Sequence, residues 1–294
     1  MVVAKIIVSG NMIGAKKILI LGARGMLGTD LGIVFAQLNP VLWNKNDLDI
    51  TDRKAVLDKI TALAPDIIIN SAAYTNVDGA ESNRDLADRI NHQAVAFLAE
   101  AAKKIGAILV QISTEQIFSG SNNGGYNEND TPHPINFYGW TKWQGEKALI
   151  ESGADFYIVR TSWLFGRAKQ RGKPRGVNFI ETILQKASSN QPLKVVNDQF
   201  GHPTYTYDLA MGIFHLLDKY PLGIYHLVNN GVASWYDLAS YVLQISGNNA
   251  KIEPCSSSDF ATIAKRPHYG ILNSTKFPYL RDWQAAVKEY LLNK

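Results

Sequence analysis

Apolar residues follow two spacings along the first half of the chain. Short continuous apolar runs are typical of buried strands, whereas apolar positions that recur every three or four residues are typical of helices. The two patterns alternate, with predicted strands at 17–21, 40–44, 66–70, 107–113 and 156–161 and predicted helices at 25–38, 52–62, 83–105 and 138–152. This alternation places helices on both faces of a parallel sheet. We therefore expect an α/β fold with a doubly wound Rossmann sheet.

The second half of the chain shows a less regular pattern of apolar and polar residues. A basic loop after Gly166 leads into a more irregular series of helices, short apolar runs and turns. The elements predicted there are helices at 178–187, 207–218 and 235–246, a strand-like run at 193–196 and a Gly-Pro turn at 201–203. We expect a smaller C-terminal substrate-binding domain that is woven back into the first half. The expected division is an extension at 1–16, a dinucleotide-binding domain at 17–166 to which 204–228 returns, and a cap at 167–203 and 229–294.

Composition and charge narrow the class of protein. The 294 residues are 46% hydrophobic, which is enough for a sizeable core. The net charge of +4 is scattered, apart from one basic run at Arg167, Lys169, Arg171, Lys173 and Arg175. We interpret this run as a solvated loop, with contact to an anionic substrate as the alternative. Because no aromatic residues interleave with it, it does not predict a nucleic-acid partner.

The cysteine count and the hydropathy pattern exclude further classes of protein. The single cysteine, Cys255, excludes an internal disulfide framework and a cysteine-rich metal site, and it favours a reducing cytoplasm. The apolar runs are all shorter than the roughly 18 residues that a membrane-spanning helix needs. We therefore expect a cytoplasmic protein without a membrane or metal partner.

Three glycines directly after the first predicted strand suggest a dinucleotide site. Gly22 permits a tight turn, Gly25 lets backbone N–H groups approach a pyrophosphate, and Gly28 lets the helix lie close to the sheet. The turn also contains Met26 and Leu27, at the helix N-terminus that would face the phosphates. Glycines also mark ordinary turns, but the position between a strand and a helix favours dinucleotide binding.

The end of the second predicted strand bears on the choice of cofactor. An acidic residue there would bind the ribose 2′-hydroxyl of NAD, but this chain has Asn44 and Lys45, and Arg24 lies in the glycine turn. Two cations suit a 2′-phosphate, so the sequence favours NADPH, with NADH as the alternative. The competing interpretation is that both cations are solvated surface charges. Asp49 and Ile50 could frame the adenine.

Tyr138 and Lys142 form a candidate acid–base pair. On a helix they share one face, and a nearby ammonium would lower the pKa of the phenol by favouring its ionised form. The alternative is an ordinary amphipathic helix with an exposed lysine. Ser113 and Thr114 end a predicted strand, where a hydroxyl could hydrogen-bond a substrate carbonyl beside the tyrosine.

A wider set of residues resembles a known family. The glycine turn, the Tyr138 and Lys142 pair, Thr114 and the segment 70–81 resemble the extended short-chain dehydrogenases/reductases. Further matches resemble the dTDP-4-dehydrorhamnose reductase family: Arg160-Thr161-Ser162-Trp163, Asn178-Phe179, Asn197-Asp198-Gln199, Gly201, Pro203-Thr204, Gly223, Tyr225-His226-Leu227 and Arg266-Pro267. The resemblance runs from about Lys17 to the C-terminus.

The resemblance implies that the C4 ketone of a nucleotide-linked 4-keto-6-deoxyhexose is reduced by NADPH or NADH, in dTDP-rhamnose biosynthesis. Tyr138 would donate the proton, Lys142 would tune it and bind the nicotinamide ribose, and Thr114 would bind the carbonyl. The resemblance also implies cofactor contacts for Ala72, Ala73 and Tyr74, and substrate contacts for Glu115, Trp163, Asn178, Gln199 and Arg266. It is consistent with a homodimer.

One departure keeps other functions open. The family usually has Thr-Asp-Tyr where this chain has Thr114, Glu115 and Gln116, so the sugar that is bound is uncertain. A nucleotide-sugar epimerase or dehydratase would share the fold and the Tyr/Lys pair. A non-catalytic NADP-binding module that resembles the regulatory beta subunit of methionine adenosyltransferase is the remaining alternative.

Overall fold

The computed structural model describes residues 13, 15–169, 176–188, 192–260 and 262–293. Most of the extension expected at 1–16, and Arg171, Lys173 and Arg175 of the basic run, lie outside the described residues. The strands are β1 (Ile18–Leu21), β2 (Val41–Trp43), β3 (Ile67–Asn70), β4 (Ile108–Thr114), β5 (Phe156–Thr161), β6 (Leu164–Phe165), β7 (Leu193–Val196), β8 (Phe200–Gly201), β9 (Thr204–Tyr205), β10 (Gly223–His226), β11 (Asn229–Asn230), β12 (Ala233–Ser234), β13 (Ile252–Cys255) and β14 (Leu280–Asp282). The α-helices are α1 (Met26–Val34), α2 (Arg53–Leu63), α3 (Val77–Ser82), α4 (Arg84–Asp88), α5 (Ala94–Ile105), α6 (Phe137–Ser152), α7 (Phe179–Ala187), α8 (Thr206–Lys219), α9 (Trp235–Ile245) and α10 (Trp283–Leu292).

Six parallel strands form the central sheet, in the order β10-β5-β4-β3-β1-β2. The chain runs from β1 to β2 on one side and then returns to β3 on the other side of β1. This reversal is the topological switch point at which open α/β sheets bind ligands, beyond the carboxyl ends of the strands. The doubly wound α/β fold predicted from the sequence is therefore confirmed.

Alternate residues of the sheet supply two separate cores. Ile18 and Ile20 of β1 pack on one face in a cluster with residues of α1 and α8, such as Leu31 and Ile213. Leu19 and its neighbours point to the opposite face, in a second cluster with residues of α2 and α5. Since successive strand residues face opposite ways, a strand buried on both faces must be apolar throughout, as β1 is.

Two predicted helices are interrupted in the structure. The helix expected at 25–38 ends at Val34 and is followed by a 3-10 turn at Ala36–Leu38. The helix expected at 83–105 is divided into α4 and α5 by a π-helical segment at Arg89–Gln93. A π segment is common near functional sites, and apolar periodicity does not reveal one, because it depends on a tertiary contact.

Elements from the second half of the chain pack on the sheet and beside it. Helix α8 packs against α1, and β10 extends the sheet next to β5. The remaining strands form four two-stranded pairs, β7 with β13, β8 with β12, β6 with β9 and β11 with β14. The division into domains stays a prediction. Within the described part of the chain, every helix falls short of the length and apolarity that crossing a bilayer requires.

Candidate active site

A cleft of about 1040 Å³ opens at the carboxyl ends of β1, β3 and β4. Its walls come from the sheet on one side and from α7, α9 and the loops after β5 and β7 on the other. Most of the site residues predicted from the sequence line it: Gly22, Arg24, Gly25, Met26, Leu27, Asn44, Lys45, Asp49, Ile50, Ala72, Ala73, Thr114, Glu115, Tyr138, Lys142, Trp163, Gln199 and Arg266. Gly28, Tyr74 and Asn178 are not among its lining residues.

The glycine turn after β1 has the geometry of a phosphate cradle. Gly22 has a φ of +73°, and a Cβ there would lie 2.7 Å from the backbone nitrogen of Ala72. The N–H of Gly25 donates to the carbonyl of Gly22 at 2.8 Å, which closes the turn in front of α1. Gly28 lies behind the turn, where a Cβ would come within 2.2 Å of the Gly22 oxygen. Helix α1 has no acidic residue in its first turn, so its N-terminus can accept an anion.

Two cations line the end of the cleft beyond β2. Lys45 is exposed and lies 3.8 Å from the carboxylate of Asp49, and Arg24 lines the same cleft. The backbone and side-chain amides of Asn44 both donate to Asp47, which fixes the turn that carries Lys45. An exposed ion pair of this length is weak, so Lys45 can exchange Asp49 for a phosphate at little cost.

The loop after β3 is fastened by a residue that the sequence analysis missed. The side chain of Asn91, in the π segment, accepts from the N–H of Tyr74 at 2.9 Å and donates to the Tyr74 carbonyl at 3.0 Å. It also donates to the hydroxyl of Thr141, which donates to the Tyr138 carbonyl. Asn91 therefore connects the loop that holds Ala72 and Ala73 with the helix that carries Tyr138.

Helix α6 presents Tyr138 and Lys142 to the cleft. It begins after Asn136, whose side chain accepts from the N–H of Gly139 at 2.7 Å. Lys142 is 4% exposed, and its ammonium donates to the carbonyl of Ile112 at 2.7 Å. Burial lowers the pKa of Lys142 to about 8, against the opposing effect of Glu146. A buried lysine poised near neutrality can hold or release a proton.

The electrostatics of Tyr138 differ from the sequence-based expectation. Burial, followed by the negative charge of Glu115, raises the pKa of Tyr138 above its ordinary value, and hydrogen bonding with Thr114 partly offsets the rise. The prediction that Lys142 lowers the pKa of Tyr138 is wrong for this structure, because the lysine ammonium donates to the Ile112 carbonyl instead. Tyr138 is therefore a protonated phenol at neutral pH, which suits a proton donor.

Glu115 is buried beside these groups. Its side chain is 5% exposed, and one carboxyl oxygen accepts from the hydroxyl of Thr114 at 2.7 Å. Gly270 packs over it, and a Cβ there would lie 2.9 Å from the Glu115 Cγ. Burial raises the pKa of Glu115 to about 7, although hydrogen bonds from Thr114 and Gln116 oppose the rise. Both protonation states of Glu115 are therefore populated near neutrality.

Aromatic rings line the opposite wall. Trp163 has a φ of +44°, and its ring stacks on that of Trp235 with 3.6 Å between centroids. Gly201 packs against the Trp163 ring, where a Cβ would lie 2.7 Å from the indole. A left-handed backbone at a tryptophan is strained and persists only where packing holds it. No motif in the sequence points to Trp235, which is distant from Trp163 along the chain.

The remaining predicted substrate residues have different surroundings. Arg266 lines the cleft and is paired with Asp78 of α3 at 2.6 Å. Gln199 lines the same wall. Asn178 is buried: its side chain caps α7 and donates to the Gly166 carbonyl and the Tyr290 hydroxyl. A substrate contact for Asn178 would need these bonds to break, so its role in the structure is to hold α7.

Comparisons with known proteins cover almost the whole chain. The family described as the RmlD substrate binding domain matches residues 16–294. The dTDP-4-dehydrorhamnose reductase of Escherichia coli strain K12 is 36% identical over 295 aligned positions, which cover 93% of this chain and 96% of that protein. The spore coat polysaccharide biosynthesis protein SpsK of Bacillus subtilis strain 168 is 36% identical over 281 positions, which cover 94% of this chain and 96% of that protein.

A solved structure shows the same similarity in three dimensions. The dTDP-4-dehydrorhamnose reductase from Bacillus anthracis str. Ames, crystallised in complex with NADP, superposes with a TM-score of 0.88 at 34% identity. The superposition covers 95% of this chain and 99% of that one. The similarity is therefore not confined to the dinucleotide-binding half.

Proposed function

Because this chain belongs to the dTDP-4-dehydrorhamnose reductase family, we propose that it reduces the C4 ketone of dTDP-4-dehydro-L-rhamnose with NADPH, giving dTDP-L-rhamnose. NADH is the alternative donor. The observation that supports this reaction most directly is that Tyr138, Lys142 and Thr114 line the same cleft as the glycine turn after β1. A dinucleotide donor and a proton donor can therefore meet one ketone.

The cradle fits a dinucleotide. Close packing at Gly22 and Gly28 leaves no room for a side chain, and backbone N–H groups at the start of α1 can face a pyrophosphate. Arg24 and Lys45 would bind the 2′-phosphate of NADPH, with Asn44 fixing the turn that carries Lys45 and with Asp49 and Ile50 bordering the adenine. Met26, Leu27, Ala72 and Ala73 would line the path of the cofactor between these ends, with Tyr74 holding the loop behind it.

Three side chains would act on the ketone. NADPH, when bound, supplies the hydride. Thr114 would hydrogen-bond the ketone oxygen, and Tyr138 would donate its phenolic proton to that oxygen. Lys142, held by the Ile112 carbonyl, would bind the nicotinamide ribose. Holding both donors against one carbonyl removes an entropic cost of several kcal/mol.

The opposite wall would bind the rest of the substrate. Trp163 would pack beside the sugar, and Gln199 and Arg266 would contact the nucleotide diphosphate. Arg266 already neutralises Asp78, so diphosphate binding would have to compete with that ion pair or share the guanidinium. Glu115 would border the sugar next to Thr114.

The test is NADPH oxidation with a panel of 4-keto-6-deoxy sugar nucleotides, followed by NMR identification of the products. We expect one NADPH consumed per ketone reduced, with the dTDP-linked L-sugar as the fastest substrate. Turnover without net NADPH consumption, together with a pyridine nucleotide that copurifies stoichiometrically, would instead identify an epimerase or dehydratase. NADPH binding without turnover of any ketone would identify a binding module.

Location and assembly belong to the same proposal. The single cysteine, which lies at the end of β13 and is buried, supports a reducing cytoplasm. Cell fractionation would check this. The family resemblance is consistent with a homodimer, and light scattering on the purified chain would give its mass.

A further inference from the structure

Glu115 differs from two other buried carboxylates, those of Glu146 and Asp208, in how its charge is balanced. Glu146 is paired with Arg160 at 2.7 Å, and Asp208 is paired with Arg281 at 2.8 Å. In the part of the chain that the structure describes, no cation lies within ion-pair distance of Glu115. An unpaired carboxylate in a buried site favours its neutral, protonated form. Glu115 is therefore suited to holding a proton next to the reacting groups.

The Thr114 hydroxyl contacts that carboxyl group and lines the same cleft as Tyr138. It donates to a Glu115 carboxyl oxygen at 2.7 Å, and it is near enough to the Tyr138 phenol to oppose the rise in that group's pKa. A hydroxyl has one proton to donate and two lone pairs that accept, so when Glu115 is protonated the Thr114 hydroxyl can rotate to accept from Glu115 and donate to Tyr138. Lys142 donates to the Ile112 carbonyl and makes no such bridge to Glu115.

We propose that Glu115 stores the proton that restores Tyr138 after each turnover and passes it through the Thr114 hydroxyl. This inference rests on the proposed reductase function. After reduction, the ketone oxygen holds the former Tyr138 proton, the substrate carbon holds the hydride, and Tyr138 is a phenolate. The Thr114 proton then moves to the phenolate oxygen while the Glu115 carboxyl proton moves to the Thr114 oxygen. The result is a phenol, a hydroxyl and a Glu115 carboxylate.

Solvent can return the proton to Glu115. Glu115 lines the cleft, so water that enters after product release can return a proton to its carboxylate. Its pKa of about 7 matches this task, because a carboxyl group near neutrality both gives and regains a proton readily. The negative charge left on Glu115 also raises the pKa of Tyr138, which drives the proton onto the phenol.

Transient kinetics of Glu115→Gln provide the test, because an amide of nearly the same shape cannot pass on a carboxyl proton. The first turnover uses the proton already on Tyr138, so we expect its rate to stay within about 3-fold of wild type, while steady-state kcat falls about 10-fold or more. NADPH oxidation should then show a burst of about one equivalent per site. Glu115→Asp keeps the carboxyl group and should recover most of the steady-state rate.

Glu151, an exposed residue at the far end of α6, provides a matched control. Glu151→Gln should show neither the burst of NADPH oxidation nor the fall in steady-state kcat. Equal slowing of the first turnover and the steady state in Glu115→Gln would overturn the inference, as would an unchanged kcat. If the wild-type chain transfers no hydride to any ketone, the proposed function falls and the inference falls with it.

A second readout does not depend on turnover. The infrared difference spectrum between wild type and Glu115→Gln should contain a carboxylic-acid carbonyl band that disappears with a midpoint near pH 7. A carboxylate band alone at pH 6 would show that Glu115 holds no proton to give, and would contradict the inference even in an active enzyme.

Discussion

At the scale of single residues, the proposed reaction depends most on the Tyr138 hydroxyl. Replacing Tyr138 with Phe removes the proton donor and keeps the ring that lines the cleft. We expect kcat to fall about 100-fold or more, the usual scale for loss of a positioned acid, with NADPH affinity nearly unchanged. Steady-state kinetics and a fluorescence titration with NADPH measure the two effects. A variant with wild-type kcat would remove Tyr138 from the chemistry.

The burial of Glu115 has a consequence for stability that does not depend on activity. The pKa of Glu115 in the folded chain, about 7, lies above its ordinary value of 4.5, so the folded state holds the proton more tightly than the unfolded state. The stabilisation from this proton is complete below pH 4.5 and is lost as the pH rises through about 7. Above that pH, folding must bury a carboxylate.

Glu115→Gln should therefore gain stability relative to wild type as the pH rises. Between pH 5 and pH 8 we expect the difference in unfolding free energy between the variant and wild type to shift in favour of the variant by about 2 to 3 kcal/mol. Urea unfolding of both proteins at the two pH values measures it. The same difference at both pH values would mean that the folded chain does not bury an ionisable Glu115.

The identity of the candidate catalytic residues was predictable from the sequence where short motifs contain them. The residue types and spacing of Tyr138, Lys142 and Thr114 indicated a site that the structure brings into one cleft. The raised pKa of Tyr138 was not predictable, because it comes from burial and from Glu115, whose distance to the ring depends on the fold. The side chain of Asn178, similarly, is taken up by capping α7.

At the scale of elements, the junction between β1 and α1 is the most demanding. A Cβ at Gly28 would lie 2.2 Å from the Gly22 oxygen and 2.8 Å from the Ala23 Cα, and both are backbone atoms that cannot move aside without moving the turn. We expect Gly28→Ala to cost about 1 to 3 kcal/mol of stability and to weaken NADPH binding. Thermal unfolding and isothermal titration calorimetry measure these losses.

Gly32 is the matched control on the same helix. A Cβ there would make ordinary contact with the flexible Leu42 side chain at 3.5 Å, and alanine favours a helix over glycine by about 0.5 to 1 kcal/mol. Gly32→Ala should therefore keep or slightly raise stability and leave NADPH binding unchanged. Equal behaviour of the two variants would contradict the close packing of the glycine turn.

The order of strands and helices in the first half was predictable, because strands such as β1 and β3 are buried along their whole length and helices such as α5 have an apolar stripe. The π segment at Arg89–Gln93 was not predictable in this way. Its Asn91 exchanges hydrogen bonds with the backbone of Tyr74, and a Cβ on Gly145 of α6 would lie 2.2 Å from the Asn91 carbonyl oxygen. Such contacts between distant segments leave no local pattern.

At the scale of the whole molecule, a buried ion pair joins the sheet to the helix that carries Tyr138. Arg160 of β5 is 2% exposed and makes two-pronged contact with Glu146 of α6, and it also donates to the Glu128 carbonyl. The Glu128 carboxylate in turn accepts from Thr275 in the C-terminal segment. This network connects three distant parts of the chain.

Removing one partner should therefore be more harmful than removing both. Arg160→Leu leaves Glu146 buried without its cation, and we expect a loss of about 3 to 5 kcal/mol. Adding Glu146→Leu should recover a substantial part of it. Chemical denaturation of wild type, both single variants and the double variant forms the required cycle. Additive losses would show that the two charges do not stabilise each other.

The overall architecture was expected from the sequence, but the side-chain contacts in the wall of the cleft opposite the sheet were not. The stack of Trp163 on Trp235 and the ion pair between Asp78 and Arg266 both join segments that only the complete fold brings together. The division into a dinucleotide-binding domain and a cap stays a prediction, which limited proteolysis with and without NADPH would address.

The most direct measurement is a stoichiometric assay with dTDP-4-dehydro-L-rhamnose and NADPH deuterated at the transferred position. We expect that one NADPH is oxidised per sugar, that deuterium appears at C4 of dTDP-L-rhamnose, and that Tyr138→Phe nearly abolishes both. Deuterium at another carbon, or product formed without loss of NADPH, would contradict the proposed reaction.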